Sequence, residues 1–571
     1  MILPGWRVRI EEEDIMNEGK RNQCFIFLIV IGAVLLFFPL LTLGIMHNDE
    51  LLARYWSMRG VKEFLTHSYT ELLQGKGRAM SCLVVPATQI LGYIGKSRYC
   101  FRILQVLTVI SNIGLFAKLT DEIFHKKALT GIVTVLLALF MPLSFEPTLP
   151  NAYVTLYGIP LTLLYVSLLL YIYYLRTEKK KFIIIAMILF WIVCCSYEAF
   201  ITYTPVFLLL GITERHMYSW KKIKENMKLC LVPIIVGCVF LACYVVTGKL
   251  FPSQYDGTQI GFNLKASLVI IKNLLRSAVP GGLFLSDKYL YLFNYYKHWL
   301  SPEGVIRVIA ILMIAGYALW KIFRKEVEKE KKELGKSLLI LVILLGCVVL
   351  PFLPISVSKM YQGNVGDQGF VSLPVSYFSY FVTTLMLSYV IWQLTKLIRF
   401  KKAISVVMLV CILGLGCAIQ LENDIFSREM DYDFTRLENI EALFRTNTMN
   451  EYNGREICSK EIYWAYNTLA VHDSYWTDYA QLQGKNISVI RADHAGPLQL
   501  YATSAELFTV VDKENGNYVA FSRTQISDTC AMKVGWKQYI YLDPVESPQK
   551  DGDYYIYRGI YDKKDIHKSE V

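Results

Sequence analysis

Two carboxylates, Asp49 and Glu50, stand side by side in MHNDELLARYW, directly after the first long apolar run. A carboxylate held at a partly apolar surface has a raised pKa and can take a proton from a hydroxyl as a general base. The pair also suits a plainer role, ending a helix among polar headgroups, and the residues by themselves leave both open. Four cations follow in the same stretch: Arg54, Arg59, Lys76 and Arg78. Arginine grips phosphate through parallel N–H donors, so these cations fit a lipid phosphate or pyrophosphate, and they equally fit anionic headgroups with no chemistry attached. His47 has no second His or Cys at ligand spacing and reads as an interfacial residue, so no metal site is expected here. Trp56, Tyr69 and the stretch YLYLFNYYKHW read as an aromatic belt. No P-loop or GxGxxG pattern is present, which argues against a cytoplasmic nucleotide site.

The elements that must position these residues belong to a membrane. Of 571 residues, 54% are hydrophobic and 19% charged, and the mean hydropathy is +0.36. A soluble chain carries about a quarter charged residues. The apolar residues gather in runs of about 20, the length that crosses a ~30 Å hydrocarbon core as helix. A soluble multidomain enzyme, a disordered chain and a disulfide-stapled secreted module are thereby excluded. The runs cover 24–46, 99–117, 128–145, 152–175, 182–212, 229–246, 305–320, 337–357, 375–394 and 403–420.

Between the runs lie KLTDEIFHKK, RTEKKK, ERHMYSWKKIKENMK, KIFRKEVEKEKKELGK and KLIRFKK. The positive-inside rule assigns all five to the cytoplasm. For RTEKKK and ERHMYSWKK to share a side, the run 182–212 must reverse at Ser196, Tyr197 and Glu198, which places Glu198 at an outer turn instead of mid-membrane. The expected architecture is an α-helical polytopic membrane protein of about 11 spans in the cell membrane. Residues 1–23 are its cytoplasmic N-terminus, with 1–15 reading as untranslated and translation starting at Met16. Residues 24–420 form the membrane domain, with long outer loops at 47–98 and 249–304. The loops carry amphipathic stretches: 81–95 (SCLVVPATQILGYIG) reads as an interfacial helix, and KASLVIIKNLLRSA is followed by Pro280-Gly281-Gly282. Residues 421–571, with alternating YVAFSRT and QYIYLD and turn signals NGN and DGD, read as an extracytoplasmic α+β or mostly β domain.

Charge divides along the same boundary. The chain carries a formal +11, but from Leu421 onward there are 16 Lys and Arg against 24 Asp and Glu, leaving 43 basic and 24 acidic residues before it. The basicity therefore sits in the membrane half, where topology accounts for it and nucleic acid is not the expected partner. Of 13 cysteines, 11 precede Leu421, mostly inside apolar runs. Cys458 and Cys530 are the pair in the polar part, and a disulfide or two free thiols fit them equally.

The order of these features resembles the GT-C class of membrane glycosyltransferases, which includes protein O-mannosyltransferases, aminoarabinose transferases and bacterial glucosyltransferases of surface polysaccharides. The likeness covers residues 24 to 420. It rests on Asp49-Glu50, then Gly77-Arg78, then the stretch 81–95, then Gly95-Lys96-Ser97-Arg98 leading to Phe101-Arg102. Tyr197-Glu198 resembles the Tyr-Gln turn of some members, with Glu for Gln. SKMYQGNVGDQGF is similar to an outer-loop Arg-Tyr region, with Lys359 in the basic position and Tyr361 after it. The class's Lys-Pro-Pro-Leu motif is absent.

The resemblance implies transfer of a sugar from a polyprenyl-phosphate donor to a cell-surface glycan or glycolipid at the outer face, with inversion. It implies Asp49 as base, with Glu50 next. Arg78 would stabilise the leaving phosphate, with Arg54, Arg102 and Lys359 as further cations, and Glu198, Tyr197 and Tyr361 would position the acceptor. No cofactor is required beyond the donor lipid, and a divalent metal stays open. The expected partners are the bilayer, the two substrates and proteins that make or flip the donor. A flippase or transporter for lipid-linked saccharides, or a polysaccharide polymerase or ligase, shares much of this pattern; the lack of an internal repeat and the outer position of the charges favour the transferase.

Overall fold

The structure is a computed structural model. It describes residues 31–44, 48–84, 98–143, 149–217, 219–253, 255–282, 300–324, 334–364, 373–395, 401–459, 461–462, 474–490, 501–502, 507–512, 514, 516–535, 538–560 and 567–568. The start at Met16, His47, most of the stretch 81–95, the YLYLFNYYKHW stretch and the centre of the KIFRKEVEKEKKELGK cluster lie outside the described residues.

In chain order the first helices are α1 (Ile31–Thr42), α2 (Asn48–Met58), α3 (Val61–Thr70), α4 (Arg98–Phe124), α5 (Lys127–Leu139), α6 (Ile159–Thr177), α7 (Lys180–Ser196), α8 (Thr204–Glu214) and α9 (Trp220–Leu250). They are followed by α10 (Leu264–Ala278), α11 (Pro302–Arg324), α12 (Leu334–Val349), α13 (Phe352–Ser356), α14 (Lys359–Asn364), α15 (Pro374–Thr395), α16 (Lys401–Leu443) and α17 (Tyr475–Leu482). Every apolar run of the sequence carries a helix. Among the described residues, however, only six are long and apolar enough to cross a membrane: Arg98–Phe124, Val154–Thr177, Leu231–Leu250, Pro302–Arg324, Pro374–Thr395 and Ala403–Leu443. The expected count of 11 is corrected to these six, with three shorter apolar helices at Ile31–Thr42, Lys127–Leu139 and Gly335–Val349. An apolar run counts residues, whereas a span needs unbroken helix: the helix on run 128–145, Lys127–Leu139, has only 13 residues before the chain turns at Phe140.

The chain divides into two compact units. The first comprises residues 1–43 and 65–428, the second residues 44–64 and 429–571. The expected boundary at Leu421 moves to Glu429, because α16 continues as helix to Leu443 after its apolar run ends. The expected single outer loop 47–98 is also divided, its first part belonging to the second unit.

In the first unit, the reversal at Tyr197 is present. Tyr197 leaves the helix with φ −155° and ψ 124°, Glu198–Tyr203 forms a 3₁₀ turn, and α8 begins with a proline in its first turn, where no N–H partner is needed. The Arg176 guanidinium at the end of α6 donates to both carboxylate oxygens of Glu214 at the end of α8, each at 2.9 Å, and Arg215 donates to Glu178 at 2.8 Å. The chain thus leaves along α7 and returns along α8. Arg176 also donates to the Glu122 carbonyl at the end of α4 at 2.8 Å. Three of the five basic clusters therefore meet at one end of this unit, and Tyr197-Glu198 sits at the other.

The second unit is the expected α+β domain. A six-stranded sheet runs β2-β1-β4-β5-β9-β8, using β1 (Glu456–Cys458), β2 (Ser488–Ile490), β4 (Leu507–Asp512), β5 (Asn517–Ser522), β8 (Gln549–Asp551) and β9 (Tyr554–Ile560); β1 and β2 are parallel and the other pairs antiparallel. A four-stranded sheet runs β10-β7-β6-β3, using β3 (Tyr501–Ala502), β6 (Cys530–Gly535), β7 (Gln538–Leu542) and β10 (His567–Lys568). Alternation along β4 and β5 feeds two cores. Phe508, Val510, Val519 and Phe521 join Phe444 and Trp476, which stack 5.7 Å apart, while Leu507, Val511, Tyr518 and Ala520 join Met532, Ile540 and Leu542. The expected turns hold: Gly516 and Gly552, both at positive φ, join β4 to β5 and β8 to β9. Cys458 and Cys530 lie in different sheets as free thiols, so the disulfide is not formed.

Asp551, before the β8–β9 turn, accepts from the Thr448 backbone N–H at 2.6 Å and from its hydroxyl at 2.7 Å. Partial burial works against its charge, but these hydrogen bonds and Lys485 outweigh it and hold its pKa below the ordinary 3.8. A depressed carboxylate adds stability that is present above its unfolded pKa and is lost as pH falls through the folded value. Protection of the Thr448 amide, corrected for intrinsic exchange, is therefore expected to fall on acidification below about pH 4. Asp551→Asn should remove that step, and a wild-type acid profile in the variant would refute the assignment.

Candidate functional site

The site is built by a turn that only glycine permits. After α3 the chain makes a wide turn over Glu71–Gly75, and Gly77 then takes φ +62°. A Cβ at Gly77 would stand 2.6 Å from the Ser253 Cβ, and Ser253 closes the turn by donating to the Gly75 carbonyl at 2.7 Å. The Arg78 N–H returns to the Leu72 carbonyl at 2.7 Å. The turn delivers the Arg78 side chain to the α7–α8 reversal, where its Nη2 donates to Glu198 Oε1 at 2.8 Å. The guanidinium carbon lies 5.7 Å from the Tyr197 ring centroid, and the Tyr197 ring packs edge-on against Tyr157 at 4.8 Å.

Both charges are largely covered, Arg78 at 19% and Glu198 at 23% exposure. Burial opposes the Arg78 charge, but Glu198 and the phenols of Tyr157, Tyr197 and Tyr255 outweigh it, so its pKa is raised. The Tyr361 phenol stands in the same neighbourhood, and burial raises its pKa as well. Arg78 Nε is buried with no hydrogen-bond partner. A buried, permanently charged donor with an N–H to offer, ringed by phenol hydroxyls, is suited to receive an anion.

Of the residues singled out from sequence, Arg78, Glu198, Tyr197 and Tyr361 come together here. Lys359 lies on the same unit, exposed, donating to Asp256 at 2.9 Å and Gln259 at 3.1 Å. Arg102 does not belong with them. It is fully buried and serves backbone and side chain in the scaffold: Nε to the Leu43 carbonyl at 2.9 Å, Nη1 to the Asn151 carbonyl at 3.0 Å, and Nη1 also to Gln105. Arg54 is taken up inside the second unit, where it forms a two-pronged pair with Glu441, one contact at 2.8 Å. Neither is placed as a phosphate ligand, because a buried guanidinium must satisfy its donors locally. Asp49 and Glu50 fall in the first turn of α2, in the second unit. Tyr157 and Tyr255 are the residues that sequence reasoning missed; nothing local separates them from the other tyrosines among 38.

Among the described residues no group of three His, Cys, Asp or Glu side chains is arranged to hold a metal ion. Compared with known proteins, the chain matches no family model and no curated sequence.

Proposed function

We propose that the chain is an integral membrane glycosyltransferase that moves a sugar from a polyprenyl-phosphate donor to a cell-surface glycan or glycolipid at the outer face. The observation that carries this reading is the largely covered Arg78–Glu198 pair with its buried, unpartnered Nε and its surrounding tyrosines. Six helices among the described residues, long and apolar enough to cross a membrane, support a GT-C-like polytopic membrane domain; in this reading the N-terminus is cytoplasmic and the C-terminal unit extracytoplasmic.

In this mechanism a carboxylate takes the proton from the acceptor hydroxyl, the freed oxygen bonds to the anomeric carbon from the face opposite the leaving group, and the bond from that carbon to the phosphate oxygen breaks. Negative charge grows on the departing phosphate, and Arg78 meets it with a donor already fixed in place. Glu198 is hydrogen-bonded to Arg78 and orients it. The carboxylate that the GT-C resemblance implies as base is Asp49, with Glu50 as the neighbouring alternative. Tyr197 and Tyr361 line the approach of the acceptor.

Cells carrying Asp49→Asn are expected to lose the same glycan or glycolipid sugar as a deletion strain, read by mass-spectrometric profiling. A point variant with a wild-type profile beside a deletion that loses a sugar would make Asp49 the wrong base. A deletion that changes no glycan would end the transferase reading.

A further inference from the structure

Helix α10 carries three stripes. One is buried: Ala266, Ser267, Ile270, Leu274, Ser277 and Ala278 face the protein. Ser267 donates to the Ser356 carbonyl at 2.8 Å, Ser277 shares a 2.8 Å hydrogen bond with Ser376, and the Ala278 carbonyl accepts from Thr383 at 2.5 Å. The entry to the helix is clamped by Gln362, whose amide N–H groups reach Ser267 and the Ser356 carbonyl at 2.9 Å each, while its oxygen accepts from the Asn263 N–H at 3.1 Å. The helix is thus fixed against α13, α14 and α15, all within the first unit.

At about 100° per residue, the second stripe turns roughly 110° away from the buried face and consists of Leu264, Leu268, Ile271 and Leu275. Leu264 is 74% exposed, Leu268 59%, and Phe262 just ahead of the helix 95%. The third stripe lies about 90° further round, with Lys265, Lys272 and Arg276, all exposed. None of these three cations has an ion-pair partner among the described residues, and the sequence holds no Asp or Glu between Asp256 and Asp287.

An apolar stripe beside a basic stripe, on a helix whose remaining face is fixed to the protein, matches the layering of a bilayer surface. Leu264, Leu268 and Phe262 enter the acyl region, while the long basic side chains extend to the phosphate level. We infer that α10 is a docking surface for anionic phospholipids of the surrounding bilayer, recognised by charge complementarity through Lys265, Lys272 and Arg276. This inference is independent of the transferase reading, and its readout is bound lipid rather than sugar transfer.

The test uses purified full-length protein offered equal amounts of phosphatidylglycerol and phosphatidylcholine, with bound lipid read by native mass spectrometry. The wild type should be enriched in phosphatidylglycerol, and the triple variant Lys265→Gln, Lys272→Gln, Arg276→Gln should lose that enrichment by roughly tenfold or more. The charge-keeping variant Lys265→Arg, Lys272→Arg, Arg276→Lys should retain it. Wild-type enrichment should also fall in 1 M salt, about the level at which screening reaches 3 Å, a readout that needs no variant. A folded glutamine variant with wild-type enrichment overturns the inference, as does wild-type enrichment that survives high salt. Displacement of phosphatidylglycerol by equimolar undecaprenyl phosphate would overturn it too, by making the surface a donor-lipid site.

Discussion

On the proposed transferase reading, Arg78→Gln is expected to lower sugar transfer about 100- to 1,000-fold, the size of effect seen when one fixed donor to a developing anion is removed. Glutamine keeps part of the length and a neutral N–H donor, so the α7–α8 reversal should hold while the charge facing the leaving phosphate is gone. The measurement is turnover of a polyprenyl-phosphate sugar by reconstituted protein, with thermal stability as the control for folding. A structural explanation predicts a different pattern. Removing one partner of a covered ion pair leaves the other uncompensated, whereas removing both is close to neutral. If Arg78 only holds Glu198, the double variant Arg78→Gln, Glu198→Gln should regain activity. If Arg78 meets the leaving group, the double variant stays as slow as Arg78→Gln while its stability returns. Recovery of turnover in the double variant would falsify the assigned role.

Glu441→Gln is expected to destabilise the second unit by about 3–5 kcal/mol, the cost of leaving one charge of a buried pair unpaired. Arg54 and Glu441 are 9% and 3% exposed; the Tyr475 hydroxyl donates to Glu441 itself at 3.5 Å, and the acidic contact left to Arg54 is the half-exposed Glu438 at 4.0 Å. Against a typical stability of about 5–15 kcal/mol this is a large fraction. Denaturant unfolding of the full-length protein, followed by exchange protection in β4 and β5, measures it. A companion change, Arg54→Leu with Glu441→Leu, should recover much of the loss. An exposed pair would cost under about 1 kcal/mol, so a loss that small in Glu441→Gln would contradict the burial seen here.

Much of the membrane part was legible because it follows from counting. The reversal at Tyr197-Glu198 was readable from two basic clusters flanking one overlong apolar run, since charge and helix length are properties of consecutive residues. The strands of the second unit and the turns at Gly516 and Gly552 were readable for the same reason: period-two alternation and glycine at positive φ are local. Composition changes at Leu421 while the helix continues to Leu443, so the compact unit begins eight residues later, at Glu429. Arg54 and Arg102 were grouped with Arg78 as cations of one region, whereas the structure pairs Arg54 with Glu441 and Arg102 with the Leu43 and Asn151 carbonyls. A guanidinium's role depends on which acceptors surround it, and for Arg54 the decisive one, Glu441, is 387 residues away in sequence.

The sequence by itself determined that this chain lives in a membrane, where its helices begin and turn, that a small α+β unit follows, and which residue types were available for phosphate chemistry. Only the tertiary structure decided which cation is offered and which are consumed. Periodicity and charge runs are set by neighbours along the chain, but the burial and pairing of Arg78, Arg54 and Arg102 are set by neighbours in space, and those neighbours come from distant turns that no local pattern brings together.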